Sequence, residues 1–389
     1  MAKETMASDI WFHVSSEGEW EQAWPIIEKG LERGQETIVW FTSFSLLPTK
    51  LKFEELYPKL HILPLPLLIF NPWKKGAPFS FERPQKFFMV RYDFFPELIF
   101  LSRKIKCSFL LGASLKGKEK SLNRNFIKRF YFKSIISTFD QIFCSNEGEK
   151  NNFESFFPSL KERFFNHEFR HGQIINRQRE QLALKDTLCL SEIENRLSVN
   201  PQHHRLILGS FWEREKEIFT DEVIDLLKTN KLFIFVAPHQ LKGPEFEKIE
   251  RFLEELCHKH ELGLIKWDHV GIQGEGCVLL CYRGGLLCEL YRYFGHSFIG
   301  GGHGRSIHSV LEPYWGGGHI YCGPRTHRST EFDFIKAESP NFIHVVHDLD
   351  DFFDHFKVAQ KSSPDQGHRE SMAKRVLASH NSYLEEFFN

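Results

Sequence analysis

The sequence predicts an α/β protein built from two doubly wound, Rossmann-like domains. Three observations carry this. Short apolar strands alternate with helical stretches through both halves, the alternation stops once in a polar stretch near the middle, and 389 residues is about two to three times the length of one domain.

The first half opens on a βαβ unit: IWFHVSS reads as a strand, EGEWEQAWPIIEKGLERG as a helix with a closing glycine, and ETIVWFTSFS as the next strand. KLHILPLPL, KFFMVRY, CSFLLGAS and QIFCSN follow as strands, separated by helical stretches such as PELIFLSRKI and NRNFIKRFYFKSII. This alternation implies a parallel sheet covered on both faces. Residues 171–204 are polar, mixed and without a clear strand, which places a first domain at 1–175, a connection at 176–204 and a second domain at 205–370. RLILGSF, KLFIFVAPH, GLIKWDHV, CVLLCYR, HSFIGGG and HIYCGP are the strands of that second domain. Residues 371–389 read as a terminal helix. Ligands of such sheets bind beyond the carboxyl ends of the strands, so the site is expected in a cleft between two facing domains.

Composition narrows the class. Apolar residues make up 41% and charged residues 26%, and no uninterrupted apolar run reaches the ~18–20 residues of a membrane-spanning helix. The first ten residues lack the basic start and apolar run of a secretory signal, so an intracellular protein is expected. The chain holds 40 Phe, a large supply of rings for apolar contact. Cys107, Cys144, Cys189, Cys257, Cys277, Cys281, Cys288 and Cys322 show no C-x-x-C pairing, and none of the 20 His falls in H-E-x-x-H. Buried thiols and no metal are expected.

Net charge is −1, yet from Arg103 to Lys133 there are ten basic residues against one acid, Glu119. The interleaved Phe and Ile of NRNFIKRFYFKSII make a helix with aromatic and cationic faces, suited to anionic lipid headgroups or a phosphate-bearing acceptor. The plainer reading turns the Phe face into the core. No recognised nucleic-acid motif accompanies the patch, so no nucleic-acid partner is expected.

Two segments have the form of chemical sites. In SSEGEWE, Gly18 permits close backbone approach at a helix start, and Glu19 stands where a carboxylate can take a proton from a hydroxyl. The same acids would also serve simply to complement the helix dipole. In HSFIGGGHGRSIHSVLEPYWGGGHIYCGP, four glycines leave the backbone bare before a helix expected to open near Ser306, with Arg305 beside it and Glu312 two turns in. That is the physical form of a phosphate cradle.

With these residues in view, the chain resembles the 3-deoxy-D-manno-octulosonic acid (Kdo) transferases, collinearly from Trp11 to about Phe334. WFHVSSEGEWEQAWPII is similar to the family's first strand and active-site turn, RYDFFPELI to its acidic E-T-E-x-W-P-N segment, LGSFWEREKE to G-S-T-H-E-G-E-E, and APHQ to P-R-H-P. FIGGG, IHSVLEP and CGPRT resemble V-G-G-S, G-G-H-N-P-L-E-P and F-G-P-H-T. The resemblance implies a glycosyltransferase B fold and inverting transfer of Kdo from CMP-Kdo to a lipid A precursor hydroxyl, without metal or other cofactor. It implies Glu19 as general base, and Gly209, Ser210, His239, Gly301, Gly302, Arg305, Ser306, His308, Ser309 and Glu312 around the nucleotide sugar. Ser16, Gly18, Arg91, Asp93, Lys116 and Lys118 would face a phosphorylated lipid acceptor, with the protein peripheral at the inner face of the cytoplasmic membrane.

Three positions depart from the family pattern: its Arg of P-R-H-P is Pro238, its Lys of G-N-L-K-F is Glu168, and the Glu of D-T-M-G-E-L is Leu286. Lost charge-assisted bonds, about 1.5–3 kcal/mol each, leave open another nucleotide sugar or a non-catalytic paralogue that keeps the fold for binding, unless Arg170, Arg283, Arg305 or Arg328 compensates. A dinucleotide-dependent oxidoreductase is disfavoured, since no G-x-G-x-x-G follows the first strand.

Overall fold

Short apolar runs become the strands of two sheets, one in each half of the chain. The computed structural model describes residues 8–43, 46–65, 83–91, 93–180, 190–304, 306–360 and 366–389. The chain divides into two units, residues 1–173 with 376–389, and residues 174–375.

The first unit holds β1 (Ile10–Val14), β2 (Thr37–Phe41), β3 (Leu60–Pro64), β4 (Lys86–Val90), β5 (Cys107–Ala113), β6 (Gln141–Cys144) and β7 (Phe164–Asn166). All pair in parallel, in the order β3-β2-β1-β4-β5-β6-β7. The chain therefore winds outward to β3 and returns across β1 to β4, which makes the β1/β4 boundary the switch point of the sheet. Both faces are buried, and alternate residues sort between them: Ile10, Phe12 and Val14 pack into one core, Trp11 into the other. Phenylalanine is used as a ladder across this sheet. Phe12, Phe88 and Phe109 are in register and stack at 4.8 and 4.5 Å, and Phe387 of the terminal helix meets Phe88 and Phe109 edge-on.

The second unit holds β8 (Arg205–Phe211), β9 (Phe233–Pro238), β10 (Leu264–Trp267), β11 (Ile272–Gln273), β12 (Val278–Cys281), β13 (His296–Ile299), β14 (His319–Cys322) and β15 (Ile343–Val345). Their order is β11-β10-β12-β9-β8-β13-β14-β15, parallel throughout except for β10 with β11. Here the switch point lies at β8/β13. The two expected doubly wound sheets are present.

The helices refine the sequence reading. The basic stretch forms two helices, Glu119–Arg124 and Phe126–Ile136, because the Asn125 side chain accepts the Lys128 N–H at 3.0 Å and starts a new one. Within residues 171–204 the chain is helical over Phe169–Glu180 and Leu190–Ser198, and the last helix spans Gln366–Glu386. No described helix is long and apolar enough to cross a membrane. The described cysteines are free thiols, buried except for the half-buried Cys107; Cys189 lies outside the described residues.

Candidate functional site

At the switch point of the first sheet, β1 runs into Ser15 and Ser16 and then the helix Glu17–Glu32. Ser16 caps that helix, its hydroxyl accepting the Glu19 N–H at 3.4 Å. Glu19 is thereby turned back to the strand end, where its Oε2 accepts both the Ser15 N–H at 2.6 Å and the Ser15 hydroxyl at 2.7 Å. Its residue is only 7% exposed. Burial pushes its pKa above the usual carboxylate range; the Ser15 bonds and the Arg91 charge pull it down, and the Asp93 charge adds to the push. Oε1 accepts no hydrogen bond from the described residues, which leaves one oxygen for an incoming hydroxyl. The acceptor must come to that oxygen, since so little of Glu19 is open.

Arg91 and Asp93 follow β4, the strand next to β1, so the parallel sheet itself brings them to Glu19. Arg91 adopts a left-handed φ of 60° and its N–H is held by Leu111 O at 2.9 Å. Around Gly18 a side chain would meet nothing within 4 Å, so the helix start is open there. Lys116 and Lys118 follow β5, the next strand along; the Lys118 ammonium lies 5.5 Å over the Phe132 ring, and burial lowers its pKa. Sequence reasoning missed His13, on β1. It is fully buried, neither ring nitrogen finds a hydrogen bond, and burial drops its pKa to about 4 against the Asp93 charge.

In the second unit the ends of β8, β9 and β13 supply the groups. Gly300–Gly304 turn directly after β13, and Gly301 has φ +95°, where a side chain would also strike the Ser306 carbonyl. The turn is pinned by Glu215, a fully buried carboxylate that accepts the Gly301 N–H at 2.7 Å and the Trp212 N–H at 3.0 Å. Burial pushes the Glu215 pKa up to about 7, opposed by those two bonds and the Arg214 charge. His239, after β9, stacks on Trp212 at 4.5 Å and on His308 at 4.3 Å, while Trp212 Nε1–H donates to His308 Nε2 at 3.2 Å. The three rings thus form one cluster at the edge of the turn. Burial lowers the pKa of both histidines, His308 to about 4, so each would meet a phosphate as a neutral donor. Gly209 and Ser210 end β8 at a bulge, with Ser210 at φ 52° and the Tyr291 ring filling the space of a Gly209 side chain.

Several sequence expectations are corrected here. Residues 306–310 are not helical, and the helix spans Leu311–Gly316. A helix opening at Ser306 would carry Pro313 in its interior, where proline lacks the N–H and clashes with the preceding turn; the first turn suits it better, although Pro25 does sit inside the Glu17–Glu32 helix. Glu312 therefore stands at the helix start and not two turns in, where its charge acts on Arg177. Ser309 donates to Glu331 at 3.0 Å. Arg305 lies outside the described residues. Of the arginines considered as compensation, Arg170 is paired with Glu21 at 3.0 Å and Arg283 lies over Trp267 at 5.7 Å. Glu168 accepts from Gln22, Pro238 ends β9, and Leu286 is buried at a helix start. Among the described residues no cluster of His, Cys, Asp or Glu is arranged to hold a metal ion.

Comparison with known proteins matches the first part of the chain to one family model. Residues 1–164 match the model of the 3-deoxy-D-manno-octulosonic-acid transferase (kdotransferase) amino-terminal domain. Over these residues the chain is similar to the Kdo transferases. A search of curated proteins finds no match. Among solved structures, UDP-GlcNAc 2-epimerase from Neisseria meningitidis aligns over 98% of this chain and 100% of its own at 11% identity and a TM-score of 0.59. Trehalose 6-phosphate synthase from Burkholderia multivorans aligns over 98% of this chain and 97% of its own at 9% identity and a TM-score of 0.51. Both likenesses are of fold, the glycosyltransferase B architecture of two parallel α/β sheets. The carboxy-terminal CMP-Kdo binding domain of WaaA from Acinetobacter baumannii matches 55% of this chain and 97% of its own at 18% identity, with a TM-score of 0.33 that carries no argument.

Proposed function

We propose that the protein transfers Kdo from CMP-Kdo, with inversion, to a hydroxyl of a phosphorylated lipid of the lipid A type. The observation that carries this is Glu19, desolvated at the β1/β4 switch point of a Kdo transferase amino-terminal domain, with Oε1 unoccupied by the described residues. In the step, Oε1 takes the proton of the acceptor hydroxyl as its oxygen bonds to the anomeric carbon of the sugar; the bond to the phosphate oxygen breaks on the opposite face and CMP departs. A raised pKa makes the carboxylate a stronger base for that proton. Arg91, Lys116 and Lys118, after β4 and β5, are suited to acceptor phosphates. The glycine turn, His239 and His308 are suited to the donor. Replacement of family positions by Pro238, Glu168 and Leu286 favours one second reading, a related transferase using a uridine or guanosine nucleotide sugar. Equilibrium binding of CMP, UDP and GDP separates the two: preference for CMP supports the first, and preference for either other nucleotide overturns its donor.

The acceptor side extends to a membrane surface in this reading. In the helix Phe126–Ile136, Phe132, Ile135 and Ile136 pack into the core, whereas Phe126 and Phe130 are 79% and 73% exposed, with Ile127 and Tyr131 beside them. The core reading of this helix thus accounts for Phe132, Ile135 and Ile136 and leaves four large side chains in solvent. Exposed rings flanked by Arg124, Lys128 and Lys133 match an anionic bilayer, where rings enter the interface and cations meet headgroups. The chain is expected to sediment with phosphatidylglycerol vesicles at low salt, less so at high salt, and to lose most binding in the F126S/F130S variant. Equal sedimentation of the variant would remove this helix from the membrane contact.

A further inference from the structure

The sequence reading put Arg305 beside the glycine turn and offered Arg170, Arg283, Arg305 or Arg328 in compensation for the arginine that Pro238 replaces. The structure supplies a different arginine. Arg214, four residues after the Ser210 bulge that ends β8, is exposed, and its guanidinium rests on the glycine turn. A methyl group at Gly304 would lie 2.9 Å from Arg214 Cζ, so the glycine is the space in which the fork sits. The guanidinium also lies 5.3 Å over the Trp212 ring, which holds it flat against the turn. Glu215, the next residue, spends both oxygens on the N–H groups of Gly301 and Trp212, and no ion pair ties Arg214 to any described acid. In the same turn Gly304 N–H bonds to Gly301 O, while the N–H groups of Gly302 and His303 donate to none of the described residues. An unpaired planar fork and two unpaired backbone donors therefore converge on one turn at the carboxyl end of β13, beside the switch point of the sheet.

We infer that Arg214 and the Gly302 and His303 N–H groups form the phosphate site of the second unit, with Arg214 replacing the charge that Pro238 removes. This deepens the donor reading above and rests on it for the nucleotide, though not for the phosphate. Arg214 is a binding residue: its fork takes two phosphate oxygens while the backbone N–H groups take a third, and Trp212 keeps the fork from turning into solvent. Any ligand of this site carries a phosphate group.

Calorimetric titration of the full chain with CMP and, separately, with inorganic pyrophosphate at low salt tests this. Both are expected to bind, Arg214→Ala to weaken both by about 10- to 100-fold, and Arg214→Lys to recover part of the loss. Arg214 is exposed, so circular dichroism and the melting temperature are expected to match wild type. Unchanged affinity in Arg214→Ala overturns the inference, as does full loss in Arg305→Ala with Arg214→Ala unaffected, or failure of the wild type to bind either probe. Pyrophosphate binding that is lost in Arg214→Ala, with no binding of CMP, supports Arg214 and rejects the CMP donor instead.

Discussion

Glu19→Gln lowers sugar transfer by about 10²- to 10⁴-fold, the range a positioned general base supplies, and leaves nucleotide binding to the second unit unchanged. Glutamine keeps the size of the side chain, and its amide oxygen still accepts from Ser15 N–H and Oγ–H in place of Oε2. What it removes is the basicity of the other oxygen. Measured across pH, wild-type transfer is expected to rise as Glu19 ionises and then level off. Since the Ser15 bonds pull the Glu19 pKa down, Ser15→Ala shifts that rise to higher pH. A merely structural Ser15 would lower the plateau without moving the rise. Full activity of Glu19→Gln would place the base elsewhere.

The second large effect is on stability in mild acid. In the first unit burial drops the pKa of His13 to about 4, of His167 to about 3, with help from the neighbouring His380 and His171, and of His380 to about 4. In the unfolded chain each imidazole titrates near its usual ~6.5, so the unfolded state takes up protons first. The stability these groups hold is complete above that value and is lost as pH falls toward 4. Each contributes about 1.4 kcal/mol per pH unit in that window, about 4 kcal/mol for the three, against a whole-domain stability of about 5–15 kcal/mol. Glu19, with its raised pKa, runs in the opposite sense and trims the slope. In the second unit His296, dropped to about 3, and His308 and His344, each dropped to about 4, act in the same sense, and Glu215, raised to about 7, acts against them. Acid unfolding is therefore expected between about pH 6 and pH 4.5, with the buried imidazoles of both units contributing. Circular dichroism and limited proteolysis across this range check it, with His380→Met moving the transition to lower pH. Equal stability at neutral pH and at pH 5 would mean the imidazoles are solvated or paired.

The architecture was legible because its signals are local. Ile10, Phe12 and Val14 alternate with Trp11 and His13, and a strand buried on both faces shows just such a continuous run. Strands β7, β11 and β15 were not read, since two or three residues carry no period. Glu19 was legible from its place after a strand and a capping serine. His13 was not, because nothing in IWFHV distinguishes a ring facing Asp93 from one in an ordinary core. Ser306 shows the opposite failure. A glycine-rich turn suggested a helix behind it, while Pro313, seven residues later, already weighed against one. Trp212, Arg214 and Glu215 are contiguous in sequence, yet their convergence on Gly301 and Gly304 depends on β8 and β13 being neighbours, which no local pattern states.

The most direct test of the central claim is transfer of Kdo from CMP-Kdo to a purified lipid A precursor, followed by the mass of the lipid product, with wild type and Glu19→Gln run in parallel. The account predicts a lipid heavier by one or more Kdo residues from wild type and none from the variant within the same time. No product from wild type, under conditions in which CMP binds, would contradict it and point to a different donor sugar or to a fold retained for binding alone.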